Sequence, residues 1–333
     1  MTLDFADPVL ARSWLAVAAS SALSPGQLAA VTLMEQPLVL WRGVDGAVNA
    51  LLDRCPHRGA RLSLGQVAGN DIRCPYHGWR FDGSARCLEW PAHPGEQPGA
   101  AASAHGVRAA ERYGLIWVLL DEPAGSDTPA LPDFAAFDAP GSGSVVDGPY
   151  DFHACAPRVI ENFLDMAHFP YVHAGTLGQV PHTEVKDYEV TVSEAGVETR
   201  GCRFWQPQPS GLAKEGAEVE YTYRVVHPLV ASLGKLTGRP DAFDVLMVTS
   251  PVDEFHTRVW KVNVFADGGS GRIATFAGFS RAAMLQDQPI VESQWPKRMP
   301  LDPRGEAHQR ADRVSAAYRR WLRDRGLSWG VTR

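Results

Sequence analysis

Cys55, His57, Cys74 and His77 form two pairs of soft sulfur and imidazole ligands, one of each in every pair. Cys55 and His57 lie in CPHRG, Cys74 and His77 lie in CPYHGW, and sixteen residues separate His57 from Cys74. Thiolates and imidazoles bind zinc as well as iron, so composition alone allows a structural zinc clip. The local pattern argues against it. Zinc fingers group their histidines on a helix, whereas here each cysteine precedes its own histidine by two or three residues and Gly59 or Gly78 follows. Two matched loops result, each ending in a turn and each able to close on a metal from its own side.

A second group of ligands lies in ENFLDMAHFPYVH, residues 161–173. His168 and His173 are five apart and Asp165 stands three before the first of them. One helical turn puts Asp165 and His168 on the same face. Pro170 removes a donor and clashes with the preceding turn, so the segment should break or kink between the two histidines. Taken alone, it reads equally well as two ordinary histidines.

These residues need a frame. From about residue 30 to 120, short runs such as LVLWRG and GLIWVLL alternate with Gly and Pro, which predicts a small all-β domain over residues 1–121. Residues 122–148 (DTPALPDF, APGSGS) have no periodic apolar face and read as a linker. In residues 149–333 a helix at ENFLDMAH precedes five strand candidates, KDYEVTVSE, GVETRGCRFW, EVEYTYRVV, AFDVLMVTSPV and TRVWKVNVFA, and then helices. The order predicts a central antiparallel sheet with helices packed on it, an α+β arrangement. Period-two alternation sets Val245, Met247 and Thr249 on one face and Leu246, Val248 and Ser250 on the other. Trp205, Tyr221, Met247 and Thr249 are the candidates to face a substrate. Near the end, Ala311, Val314, Tyr318, Trp321 and Leu322 fall at helical spacing, an amphipathic packing helix with Arg319, Arg320 and Arg323 on a solvated or intersubunit face.

At 333 residues the chain has room for two domains, and a net charge of −6 gives no reason to expect nucleic acid. The stretch LARSWLAVAASSAL lacks a basic leader and is interrupted by serine and arginine, so neither a signal peptide nor a membrane span is expected there. Five cysteines with two assigned leave no even disulfide framework. Cys87, Cys155 and Cys202 read as small buried hydrophobes in a reduced, cytoplasmic setting. No GxGxxG follows a strand and opens a helix, and GGSG at residues 268–271 reads as a hairpin turn. With no nicotinamide or flavin site visible, electrons must come from another protein.

The strings CPHRGARLSLG and CPYHGWRFD resemble the Rieske signature of the Rieske non-haem iron oxygenases, in which two cysteines hold one iron of a [2Fe-2S] cluster and two histidines the other. The resemblance extends over most of the chain. It is strongest to the group with a single type of subunit: vanillate demethylases, dicamba and toluenesulfonate methyl monooxygenases, and saxitoxin-pathway hydroxylases. It implies a Rieske domain over 1–121 and a mononuclear Fe(II) domain over 149–333, with His168 and His173 as iron ligands and a carboxylate from LQDQPIVESQ, Asp287 first and Glu292 in reserve. Pro289, two residues past Asp287, should bend the chain. Asp165 is then implied to bridge His77 of one subunit and His168 of the next, and Asn162 to approach the iron. The resemblance further implies a homotrimer, a ferredoxin or reductase that passes on electrons from NAD(P)H, and an O2-dependent hydroxylation of a C–H bond. Where the carbon bears O or N, the methyl group leaves as formaldehyde. An aromatic-ring cis-dihydroxylating dioxygenase is the alternative within the class. A Rieske electron carrier would leave ENFLDMAHFPYVH unexplained, and a zinc-stapled binding module would hold no iron.

Overall fold

Runs of Leu, Val, Ile and Trp pair into antiparallel sheets in both halves of the chain. The computed structural model describes residues 6–122, 127–209, 215–236, 242–269, 271 and 273–333. Two units result, Met1–Leu131 and Pro132–Arg333.

In the first unit, a single turn α1 (Pro8–Ala11) is capped by the Asp7 carboxylate, which accepts the Leu10 N–H at 2.9 Å. A six-stranded sheet follows: β1 (Leu15–Ala19), β2 (Leu28–Leu33), β3 (Gln36–Arg42), β4 (Val48–Leu52), β9 (Gly106–Arg112) and β10 (Leu115–Leu119), in the order β1-β10-β9-β4-β3-β2. Four short strands make a second sheet: β5 (Gln66–Ala68), β6 (Asp71–Arg73), β7 (Arg80–Phe81) and β8 (Cys87–Glu89). Cys55 and His57 lie in the connection from β4 to β5, and Cys74 and His77 lie between β6 and β7. Trp41, Leu51, Leu62, Ile72 and Phe81 pack together beneath these loops, with Cys55 and Cys74 in the same cluster.

The second unit is built on β11 (Gly143–Phe152), β12 (Glu189–Ser193), β13 (Gly196–Arg200), β14 (Cys202–Gln206), β15 (Ala217–His227), β16 (Val230–Leu236), β17 (Phe243–Pro251) and β18 (Thr257–Phe265). The order is β11-β18-β17-β16-β15-β13-β12, with β14 also on β15. The helices are α2 (Ala156–Leu164), α3 (Phe169–Val172), α4 (Ile273–Ser293) and α5 (Arg313–Asp324). α2 lies over β16 and β17, and α4 lies along β11 and α2. β17 and β18 are buried at nearly every position, so both of their faces are covered, against the strict alternation of β15.

Several expectations change. Gly143–Phe152, part of which was expected as linker, is an edge strand on β18, where Gly148 and Pro149 are tolerated at a bulge between Asp147 and Tyr150. GVETRGCRFW is two strands, parted at Gly201, whose φ is +69°. β16, with Ser232 and Gly234 breaking its apolar pattern, was not expected. The break after α2 comes at Asp165–His168, and Pro170 occupies the first turn of α3, where its missing N–H costs nothing. α4 runs through Pro289 to Ser293, with Leu285, four residues earlier, 49% exposed. GGSG joins β18 to α4 and is not a hairpin; its residue 270 lies outside the described residues. Arg319 is not on a solvated face. It is 3% exposed and paired with Glu161 and Glu306, whereas Arg320 and Arg323 are exposed.

Candidate metal centres and substrate cavity

The two N-terminal loops repeat one backbone pattern. The Cys55 N–H donates to the Ala60 carbonyl at 2.8 Å, and the Gly59 N–H donates back to the Cys55 carbonyl at 2.9 Å. The Cys74 N–H donates to the Trp79 carbonyl at 2.8 Å, and the Gly78 N–H donates back to the Cys74 carbonyl at 3.2 Å. Both glycines hold a left-handed conformation, φ +72° and +74°, which is why each loop closes with that residue. The cysteines are buried and the histidines exposed. The His57 and His77 rings meet edge to face at 4.5 Å between centroids, with Trp79 stacked on His57 at 4.6 Å. Burial pushes the Cys55 thiol up to about 12; the backbone N–H groups of His57 and Arg58 oppose that shift, and Cys74 adds to it. Those N–H groups also favour a thiolate, the form a metal requires. Two buried sulfurs on one side and two exposed imidazoles on the other fit a two-iron cluster ligated unequally at its ends. The four do not close into a set around one ion, unlike the group that follows.

His168, His173 and Asp287 bring their ligand atoms together in the second unit. His168 Nε2 and His173 Nε2 are 3.2 Å apart, and Asp287 Oδ1 lies 3.1 Å from His173 Nε2 and 3.5 Å from His168 Nε2. Donors about 2.1 Å from a shared ion, and at 90–110° to one another, lie roughly 3.0–3.4 Å apart, so the triangle fits one metal ion. The histidines come from the two ends of α3 and the carboxylate from α4. The far nitrogens of both rings are held from behind. His168 Nδ1 pairs with Asp165 Oδ2 at 2.9 Å, and His173 Nδ1 pairs with Gln286 Oε1 at 2.8 Å. An acceptor at Nδ1 keeps the proton there and turns a bare Nε2 to the metal. Gln286 was not singled out in the sequence; its place one residue before Asp287 was the only signal.

Asp165 meets His168 across a turn outside regular helix, with its own backbone extended at φ −86°, ψ 136°. Burial pushes its carboxyl up, but the His168 imidazole and the backbone N–H groups of Ala167 and His168 prevail and hold it below the usual range. Burial likewise lowers His173, yet Asp287 and Gln286 outweigh it and raise the imidazole above its ordinary value. Asn162 Nδ2 donates to Asp287 Oδ1 at 3.5 Å. Glu292 points elsewhere, accepting the His153 N–H at 2.9 Å and Gln288 Nε2 at 2.8 Å. Five residues on an α-helix turn through about 500°, so Glu292 is rotated by about 140° from the face that carries Asp287.

A cavity opens beside this triad between α4 and β15–β18. Tyr221 and Met247 line it, as the alternation of β17 requires for Met247. Trp205 and Thr249 do not. Trp205 stacks on His182 at 4.0 Å, on the strand that pairs off the main path of the sheet. Thr249 shares the parity of Met247, but its hydroxyl donates to the Leu229 carbonyl at 3.0 Å. Phe163, Phe276, Phe279 and Met284 make the walls largely apolar. Lys261 is a buried charged exception: desolvation pushes its ammonium down to about 8, and Nζ donates to the Ser280 carbonyl at 3.0 Å with Asp147 Oδ2 3.9 Å away.

Comparison with known proteins agrees with both halves. Residues 13–105 match the Rieske [2Fe-2S] domain, and residues 152–326 match the vanillate O-demethylase oxygenase C-terminal domain. Methylxanthine N1-demethylase NdmA of Pseudomonas putida is 33% identical over 323 residues, 96% of this chain and 88% of that protein. Probable methylxanthine N7-demethylase NdmC of Pseudomonas sp. (strain TJI-51) is 42% identical over 66% of this chain and 78% of its own length. The solved structure of P. putida CBB5 NdmA with caffeine has a TM-score of 0.81 at 30% identity, covering 95% of this chain and 90% of that one. The chain belongs to the Rieske non-haem iron oxygenases, as a terminal oxygenase α subunit of the monooxygenase kind that carries a [2Fe-2S] cluster and a mononuclear iron and is served by a separate reductase.

Proposed function

We propose that this oxygenase removes a methyl group from a small, flat, largely apolar molecule seated in the cavity beside His168, His173 and Asp287. The observation that carries this reading is the adjacency itself: a largely apolar chamber has the converging triad at one side. The balanced reaction consumes the methylated substrate, O2, NAD(P)H and a proton, and yields the demethylated product, formaldehyde, water and NAD(P)+. Its relatives include N-demethylases of methylxanthines, which supports an N-methyl heterocycle as the first substrate to try.

Cys55, His57, Cys74 and His77 would hold the cluster; His168, His173 and Asp287 would hold Fe(II). When bound, the iron supplies the oxygen activation that no side chain can. The chain's own residues do the rest. Asp165 and Gln286 fix the ring orientation of the two histidines. Phe276, Phe279 and Met284 exclude water and seat the substrate. Asp165 is the proposed hydrogen-bonded bridge to His77 of a neighbouring subunit in a closed trimer, the simplest heterologous ring. We assign a ferredoxin or reductase as the electron donor, and a reduced, cytoplasmic setting, which the five buried free cysteines support. No described helix is long and apolar enough to cross a membrane.

A reductase-coupled assay tests the reading. Formaldehyde should appear in equal amount to the product lacking CH2 when N-methyl heterocycles are offered. Oxygen-dependent turnover of a panel of N-methyl and O-methyl compounds that yields hydroxymethyl products or cis-diols, and no formaldehyde, would overturn it.

A further inference from the structure

Asn263 on β18 is wholly buried, and neither its Nδ2 nor its Oδ1 has a hydrogen-bond partner among the described residues. It faces the cavity. A buried polar group left unmet destabilises the fold, and most such groups in folded proteins are paired. The neighbouring Lys261, two residues earlier on the same strand face, is already engaged by the Ser280 carbonyl. Asn263 therefore carries an unmet donor and an unmet acceptor side by side in the cavity wall, and a ligand that meets them must draw the side chain toward itself.

Strand register shows what lies next to it. Asn263 is opposite Val245, Val245 opposite Leu233, and Leu233 opposite Tyr223, and all four line the cavity. The row runs from an amide through two aliphatic residues to a phenol whose hydroxyl is also buried without a partner. Three strand spacings of about 4.8 Å set the ends roughly 14 Å apart between Cα atoms. A flat apolar floor with hydrogen-bonding ends suits a planar ring system with polar edges.

We infer that Asn263 sets the specificity of this cavity by pairing with the lactam or imide edge of a neutral planar heterocycle, the ring N–H donating to Asn263 Oδ1 and the adjacent ring carbonyl accepting from Asn263 Nδ2. The inference rests on the demethylase reading of the cavity and names what that reading leaves open. A carboxylate or sulfonate would use only the donor and set its charge against Oδ1. Lys261 does not correct for this, because Asp147 lies 3.9 Å from its ammonium. A site built to hydrogen-bond a substrate N–H rejects the analogue that lacks it, since its own polar atoms are then left unpaired.

The test uses the metal-loaded holoenzyme and three probes: theobromine, which has a free imide N–H between two carbonyls, caffeine, in which that nitrogen is methylated, and vanillate, an anion. Calorimetric titration should give theobromine at least a tenfold lower Kd than either of the others. In Asn263→Leu, of similar volume without polar atoms, theobromine should weaken to the caffeine value while caffeine changes by less than threefold. Cluster absorption and the melting temperature of the variant should match or exceed those of the native protein, which separates loss of recognition from loss of fold. Failure of theobromine to bind, equal affinity for theobromine and caffeine, tightest binding of vanillate, or a preference that survives in Asn263→Leu overturns the inference. Formaldehyde release separates it from the parent reading. Theobromine bound and demethylated as well by Asn263→Leu as by the native protein would keep the demethylase and remove this role, whereas Asn263-dependent theobromine binding in a protein that never releases formaldehyde would do the reverse.

Discussion

Gln286→Leu should weaken Fe(II) binding at the mononuclear site by roughly tenfold to a hundredfold while leaving the cluster intact. The side chain accepts from His173 Nδ1 at 2.8 Å, and His173 is only 2% exposed, so water has little access to replace the lost acceptor. Leaving a buried imidazole N–H unmet costs about 1–3 kcal/mol. It also frees the ring to place its proton on Nε2, the atom that must face the metal bare. Residues that orient a ligating histidine contribute about 10–100-fold in metal affinity, or about 1.4–2.8 kcal/mol, which agrees with the hydrogen-bond figure. Competition against a chromophoric Fe(II) chelator measures the affinity, and the rhombic electron-spin signal of the reduced cluster reports on the other centre. Gln286→Glu retains the acceptor and should recover most of the affinity. An unchanged dissociation constant in Gln286→Leu, within about twofold, would mean that α4 alone positions His173 and that the contact is incidental.

Asp165→Asn should keep both metals, as iron analysis will show, and lower coupled turnover by at least a hundredfold; normal turnover would remove the bridging role. Arg319→Met takes from Glu161 and Glu306 the guanidinium they meet at 2.5 and 2.6 Å and leaves both to Arg158 alone, and removing one partner from a buried ion-pair network costs about 3–5 kcal/mol. For a unit of this size that lowers Tm by roughly 10 °C, and a shift below about 3 °C in calorimetry would contradict it. The raised His173 pKa gives metal-free protein a stabilisation that is fully present below the unfolded value of about 6.5 and is lost as pH rises through the folded value. Because Asp287 is the first cause of that rise, the Tm difference between metal-free native protein and Asp287→Ala should shrink as pH rises through that window, and a pH-independent difference would refute the coupling. Fe(II) affinity should rise over the same interval, since binding displaces the proton.

The cluster ligands were legible because each half of the set is contiguous. A Cys, its His and a closing Gly fit inside one loop, and the backbone bonds from Cys55 to Ala60 and from Cys74 to Trp79 follow from that local spacing. Asp287 lies more than a hundred residues from His173, and nothing local distinguishes it from Glu292; only the rotation of α4 does. Gln286 was invisible for the same reason, an ordinary helical amide until a second segment turns it toward a histidine. The sheet was legible where strands were long, whether alternating as in β15 or continuously apolar as in much of β17. It was missed where polar or glycine residues broke the period, as in β16, or where edge pairing tolerated proline, as in β11. Trp205 was misplaced because an aromatic residue on a strand next to the site says nothing about which side of the sheet path its strand occupies.

The two centres are preorganised by different means, and that difference sets what damages each. Around Cys55 and Cys74 the work is done by main-chain hydrogen bonds within loops of five or six residues, over a core that includes the cysteines themselves. A side-chain substitution that spares the ligands and the two positive-φ glycines has little to break there. The His168, His173 and Asp287 triangle is drawn from segments far apart in the chain. Its members come from α3 and α4, and Asp165 and Gln286 hold the rings through side chains alone. An ion there would tie α3 to α4 beside the cavity, so metal binding adds directly to the stability of the second unit by mass action. Chelation should therefore loosen the cavity wall before it touches the cluster. Substrate affinity, which depends on that wall and on Asn263 in the sheet beneath it, should fall on chelation even though no substrate atom need touch the metal.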